Sequence, residues 1–534
     1  MKHLIALFTV AFLIGCSSST SPVDDGLENQ IFHFGNGSEP QGIDPHIVTG
    51  VPEHHILISL CEGLTIPNAF GDGNLPGAAE SWQISEDGKE YIFNLRKNGK
   101  WSNGDELTAE DFVWSWKRIL TASLGSQYPD MLYYLVGASE YHTGLIDDFN
   151  RVGIKAIDKY TLKVTLKAPT PFFIGMLSHY STWPVHKETV LKHGSIDDRN
   201  GEWTRPGNFV CNGAFNLKSW ELNNRIVVEK NPNYWDSSSV RLNQIHYYPV
   251  SNVMTEDRMF RAGQLHVTST LPSQKCPIYI EENNPDLRID PYMGTYFYRL
   301  NTNNSVLKDV RVRKALAYSI DRKLLVDKVT KCGQIPAYSF TPPGSNGYQP
   351  ETSIAFDPEL AKQLLNEAGY SDNNAFPKLE ILFNTNEDHR KVALAIQQMW
   401  QQNLGITVEL VNQDWKVYLS REMVGDFQVS RAGWIGDYED PNTFLDLMRP
   451  NRGNNKTGWE NADYDSLVAK ANSTNNQEER YRLLNEAEKI LIDNMPIIPL
   501  YTYVRNYQLS SDVKGYNPHI LDHHHPKFIY LERE

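Results

Sequence analysis

Short runs rich in β-branched residues alternate with amphipathic helical patterns along most of this 534-residue chain, and this alternation limits the fold to the α/β class. Strands are predicted at YIFNL (91–95), YTLKVTL (160–166), RIVVEKN (225–231), KLEILF (378–383) and ITVELV (406–411). The plainest helix is DPELAKQLLNEAGY (357–370): Asp357 caps, Pro358 starts, Leu360, Leu364, Leu365 and Ala368 form the apolar stripe, and Gly369 ends it. TAEDFVWSWKRIL places Asp111 three residues after Thr108, a capping-box variant. DVRVRKALAYSIDRKLLVDKV puts Val312, Leu316, Ile320 and Leu324 on one face, and ERYRLLNEAEKILI does the same with Leu484, Ala487 and Leu491. A chain this long exceeds what one core supports, so two or three domains are expected. The Pro- and Gly-rich stretch 339–350 reads as a loop, and no internal repeat is visible.

The first residues read as an address. Lys2 precedes the apolar run LIALFTVAFLIG, which is too short for a permanent membrane span and ends at Cys16 before a serine tether. The pattern resembles a lipobox: residues 1–15 are expected to be a lipoprotein signal peptide and Cys16 the acylated first residue. Export implies an oxidising compartment. The remaining cysteines, Cys61, Cys211, Cys276 and Cys332, include no Cys-x-x-Cys pair, and free buried thiols and disulfides both stay open.

A formal charge of −14 argues against a nucleic-acid partner, which needs a basic face. No Gly-x-Ser-x-Gly elbow, phosphate loop with Lys, or His-Glu-x-x-His is present. His54-His55 and the histidines of 522–526 sit on consecutive positions whose side chains diverge, which speaks against a shared metal. What stands out is RAGWIGDYEDP (431–441), with an arginine, a tryptophan and three carboxylates. Such a stretch can be a solvated loop, a grip for a cationic ligand, or a catalytic acid pair. Catalysis fits worst, because glycosidase-type carboxylates flank the scissile bond from different elements and Asp437 and Glu439 share one loop.

Five stretches in order, residues 75–120, 213–236 (GAFNLKSWELNNRIVVEKNPNYWD), 309–322 (DVRVRKALAYSIDR), 337–344 (AYSFTPPG) and RAGWIGDYEDP, resemble the family 5 extracellular solute-binding proteins of ABC importers. QGIDPHIVTGVPEHHI and MPIIPLYTYV fit the same pattern near the two ends. The resemblance implies a two-lobed periplasmic-binding-protein (type II) α/β fold with a hinge and an extra inserted domain. Lobe I would comprise 17–62, 187–293 and 505–534, the inserted domain 63–186, and the other lobe 294–504.

In peptide-binding members an extended ligand lies between the closed lobes and pairs through its main chain. By that resemblance Asp437 is expected to accept the ligand's α-ammonium group and Tyr128 to sit near the same terminus. Trp415 and Trp434 would wall side-chain pockets, and Val51 and Gly433 would run beside the ligand backbone. Arg431 and His389 would be cations for the C-terminal carboxylate. Glu422 stands where a basic residue is expected, Arg299 where an acidic one is, and Ser269 and Thr270 replace a tyrosine and an asparagine. The implied role is a monomeric, lipid-anchored receptor without cofactor, passing short peptides to an ABC permease. Its rivals are a cell-wall-peptide binder of the same family and a surface hydrolase.

Overall fold

The computed structural model describes residues 20–71, 73–371, 374–450 and 452–533; the expected signal peptide and Cys16 lie outside them. Among the described residues no helix is long and apolar enough to cross a membrane.

A six-stranded sheet runs in the order Ile335–Pro336, Ile497–Gln508, Leu287–Leu300, Val429–Ile435, Leu379–Asn384, Val408–Gln413. Leu379–Asn384 lies parallel to both its neighbours and is buried along most of its length, so its sequence reads as an almost unbroken apolar run. The connections between these parallel strands are the helices Glu387–Leu404 and Trp415–Met423, as parallel crossovers require.

A second, four-stranded sheet pairs Ile31–Gly35 in parallel with Gln244–Tyr248, Phe32 facing Ile245, and continues through Arg225–Lys230 to Phe215–Glu221. The long excursion between its first two strands carries an antiparallel sheet of its own, Ala79–Ile84, Glu90–Leu95, Thr161–Thr165 and Ile154–Asp158. Burial alternates along Glu90–Leu95 and Thr161–Thr165, the mark of a sheet covered on one face. One apolar core joins these two sheets, and another fills the six-stranded sheet and its helices.

The two long strands Leu287–Leu300 and Ile497–Gln508 link the parts. They pair from Leu287↔Gln508 to Pro291↔Val504, lose register, and resume at Thr295↔Thr502. Beyond the end of Ile497–Gln508, Leu509 bridges to Val267, which bridges in turn to Phe34 of the four-stranded sheet.

The strands expected from β-branched runs form within a residue or two of their expected limits. Helix Pro358–Glu367 is capped by Asp357, whose side chain accepts from the Leu360 amide at 2.9 Å, but its buried stripe is Ala361 and Leu365, while Leu360 faces outward. The expected face Val312–Leu316–Ile320–Leu324 is also corrected. Helix Val310–Tyr318 ends, and Asp321 caps a new helix at Arg322–Leu325, which changes the phase; Leu325 is fully buried and Leu324 is 46% exposed. Thr108 and Asp111 form the expected box, with the Thr108 amide donating to the Asp111 carboxylate at 2.7 Å. Among the described residues the four cysteines pair, Cys61 with Cys211 and Cys276 with Cys332, so the free-thiol alternative falls. The second bridge lies beside the two linking strands: Leu287 packs on it, and Gly333, next to Cys332, approaches Ile289 and Val504.

Candidate ligand-binding cavity

Between the sheets lies a cavity of about 440 Å³, within the usual range of ligand sites of ~300–1,000 Å³. Val51, Tyr128, His389, Trp415, Arg431, Gly433, Trp434 and Asp437 all line it, although they come from segments far apart in the chain.

Strand Val429–Ile435 supplies the wall. Its pairing with Leu379–Asn384 stops at Ser430, whereas pairing with Leu287–Leu300 continues to Ile435. Every residue from Arg431 to Asp437 touches the cavity. Side chains alternate between faces in a strand, so consecutive lining means that the strand presents its edge. Along 431–435 that edge has no second strand among the described residues; the Arg431 carbonyl accepts from the Tyr418 hydroxyl, and the main-chain groups of the residues that follow are available to an extended ligand. Gly433 permits the close packing here: a Cβ would lie 2.5 Å from the Tyr503 hydroxyl.

Past the strand, the Asp437 amide donates to Thr443 Oγ1 at 3.1 Å, and the carboxylate turns into the cavity, its side chain 12% exposed. Tyr128 donates to it over 3.4 Å, and His179 Nε2 lies 3.4 Å away. Burial and the neighbouring His54 hold His179 well below its usual value, so it stands neutral. Among the described residues no Lys or Arg comes within ion-pair distance of Asp437. Desolvation, then the nearby Asp130 charge, push its carboxyl far above the usual range.

Asp440, three residues on, has the opposite environment. It is 1% exposed and held by both terminal nitrogens of Arg480, itself 2% exposed. The solvated-loop reading of the acidic stretch is thus wrong at both positions, because the turn after the strand is packed under helix Gln477–Asn494 and against Tyr128. Asp437 thus faces the cavity and Asp440 faces Arg480.

At the other end, Arg431 donates to the Tyr503 hydroxyl at 2.8 Å and lies 4.8 Å over the Tyr296 ring. His389 sits against Tyr296, and burial together with the Arg431 charge keeps it well below its usual value. Of the two residues expected to meet a carboxylate, Arg431 is the one whose charge burial does not suppress. Trp415 stacks on Tyr418 and donates from Nε1 to Glu53 Oε1 at 3.4 Å, while Trp434 donates to Thr443 Oγ1 at 3.3 Å. The unexpected Glu422 and Arg299 explain each other: they form a buried two-pronged ion pair at 2.8 and 2.9 Å. Ser269 and Thr270 donate to Glu256 and Asn506 at 2.6 and 3.0 Å.

Sequence reasoning missed His179, Glu53, Tyr503 and Lys456. Glu53 and Tyr503 lie inside stretches that carry the resemblance but with nothing local to mark a role, and His179 and Lys456 lie outside them; His179, Tyr503 and Lys456 line the cavity through tertiary packing, and Glu53 stands behind its wall, accepting from Trp415. Glu53 is fully buried, and desolvation raises it to about 7. Between its unfolded value near ~4.5 and about 7 the folded state binds the extra proton, so this group's contribution to stability falls as pH rises through that window. Glu256 and Glu488 behave alike and set a common slope. Urea midpoints followed from pH 5 to 8 should fall less for Glu53→Gln than for the wild type, by on the order of 1–3 kcal/mol. Parallel curves would refute this.

A cavity closed between two α/β bodies that are joined by paired strands defines a ligand-enclosing binding protein. Its relatives make this specific. The chain belongs to the bacterial extracellular solute-binding proteins, family 5, whose model matches residues 75–456. It is 37% identical to the periplasmic oligopeptide-binding protein OppA of Salmonella typhimurium, over 99% of this chain and 98% of that one. It superposes on Haemophilus influenzae OppA in complex with RPPGFSPFR with a TM-score of 0.90 at 35% identity, covering 95% of this chain and 99% of the other. For the murein tripeptide-binding protein MppA of Escherichia coli the TM-score is 0.91 at 34% identity, with 95% and 99% covered, but the unliganded open form of MppA gives only 0.65 at the same identity, with 95% and 98% covered. The present arrangement thus differs from that open form.

Proposed function

We propose that this protein captures short peptides with a free amino terminus in the closed cavity and hands them to an ABC permease. The observation that carries the reading is Asp437: a carboxylate turned into an enclosed cavity with no Lys or Arg among the described residues within ion-pair distance. Such a group is unfavourable when empty, and an α-ammonium group supplies the missing charge in a charge-assisted hydrogen bond. The unpaired edge 431–435 supports recognition through the peptide main chain, which is indifferent to sequence. Arg431, with His389 beside it, is the partner for the opposite carboxylate. Trp415, Trp434 and Val51 bound the side-chain space, with water filling what each ligand leaves.

The lobes in this reading are 17–62 with 187–293 and 505–534, and 294–504; residues 63–186 form the inserted domain. They turn about the register break near Pro291 and Val504. Closure is favoured by contacts made only when ligand is enclosed. The protein acts as a monomer outside the cytoplasmic membrane, held by lipid on Cys16, and catalyses nothing. Native mass spectrometry of the protein after incubation with a mixed peptide digest tests this. Intact short peptides with free amino termini are expected. Cleaved products would indicate a hydrolase, and recovery of cell-wall tripeptides to the exclusion of others would indicate the murein-binding alternative favoured by the MppA likeness.

A further inference from the structure

The cavity holds cations that the reading above does not use. Lys456 lines it and donates only to neutral acceptors, Gln127 Oε1 and the Gly453 carbonyl. Arg199, at the cavity rim, donates to the carbonyls of Leu124 and Gly125 at 2.7 and 2.5 Å. Gln127 lies between them, its Nε2 reaching the Gly125 carbonyl at 3.3 Å. Among the described residues neither cation has a carboxylate within ion-pair distance. The carboxylates whose field reaches Lys456 stand outside ion-pair distance of it: Glu422 is held by Arg299, and Asp130 lies 4.0 Å from Arg452, which pairs with Asp446 at 2.7 Å.

From this geometry we infer that Lys456, assisted by Arg199, receives a carboxylate of the bound ligand. A partly buried ammonium satisfied only by carbonyl oxygens keeps a donor and a full charge for an anion, and such a contact gains more than a neutral hydrogen bond does. Burial and Arg299 lower Lys456 to about 8, the strain of a cation kept without its counter-ion. The corner adjoins the amino-terminal anchor, since Gln127 contacts Lys456 and the next residue, Tyr128, contacts Asp437. The carboxylate therefore belongs to the opening residues of the ligand: an acidic side chain there, or the C-terminal carboxylate of a very short peptide.

This rests on the peptide reading, and calorimetry separates the two. Tetra-alanine is titrated first, then tetrapeptides with Glu or Gln at each of the first three positions, and di- and trialanine as free acids and as amides. At one position Glu is expected to bind at least tenfold more tightly than Gln. That ratio should fall to about two or less in Lys456→Gln and persist in Lys456→Arg, which also guards against a mere packing defect. If instead the acid-to-amide ratio of the shortest peptides is what Lys456→Gln lowers, the carboxylate is the C-terminal one and the inference stands. If tetra-alanine binds and neither ratio depends on Lys456, the inference is overturned while peptide capture survives. If no peptide binds, both fall.

Discussion

Asp437→Asn should bind a free-amino tripeptide about two decades more weakly than the wild type by calorimetry, with urea stability of the empty protein unchanged or raised. Removing one member of a buried ion pair costs ~3–5 kcal/mol, and the asparagine oxygen still accepts one hydrogen bond, so the lower end applies. The stability half follows from the sign of the shift. Burial raises the folded-state value of Asp437 above the unfolded one, so the group's contribution to stability falls as pH rises beyond the ordinary carboxylate range, and at pH 7 it opposes folding. A neutral isostere lifts that penalty. A site that weakens the empty protein and strengthens the complex is the stability–function exchange expected of a binding residue. N-acetylation of the tripeptide should act on the wild type as the substitution does, and have little further effect on Asp437→Asn. Equal affinity of wild type for acetylated and free peptides would remove the assignment.

Much of the fold was legible because local and global preferences agree. Leu379–Asn384 is mostly apolar because it is buried along most of its length, and Thr108 and Asp111 announce a helix start that tertiary packing leaves alone. Where phase mattered, periodicity failed: a single cap at Asp321 reset the helix and exchanged Leu324 for Leu325. The site was legible in a different manner. Asp437, Trp434 and Arg431 lie in one short stretch whose order resembles a family, so they could be named. His179 meets Asp437 from a segment more than 250 positions away, and nothing local marks it. Arg299 and Glu422 looked like two departures because a sequence lists residues singly; in space they are one exchanged pair.

The acidic stretch itself offers the second test, because Asp440 should behave as the reverse of Asp437. Asp440→Ala is expected to lose ~3–5 kcal/mol of stability, read as a lower urea midpoint, since it leaves the Arg480 guanidinium buried beneath Phe172 with no counter-ion. Asp440 also accepts from the Asn442 amide at 2.9 Å, so the turn that aims Asp437 loses a hydrogen bond as well. The desolvation cost falls on whichever charge remains, so Arg480→Leu should be comparably damaging. The double variant Asp440→Leu/Arg480→Leu should recover a large part of the loss, because a buried pair replaced by packed apolar groups strands no charge. Additive losses in the double variant, or a loss below ~1 kcal/mol for Asp440→Ala, would mean that the pair is solvated and worth what surface pairs are worth. A loss of stability at Asp440 with a loss of binding at Asp437 would divide these two carboxylates by environment: two members of one loop, three residues apart, one neutralised by the chain and one left for the ligand.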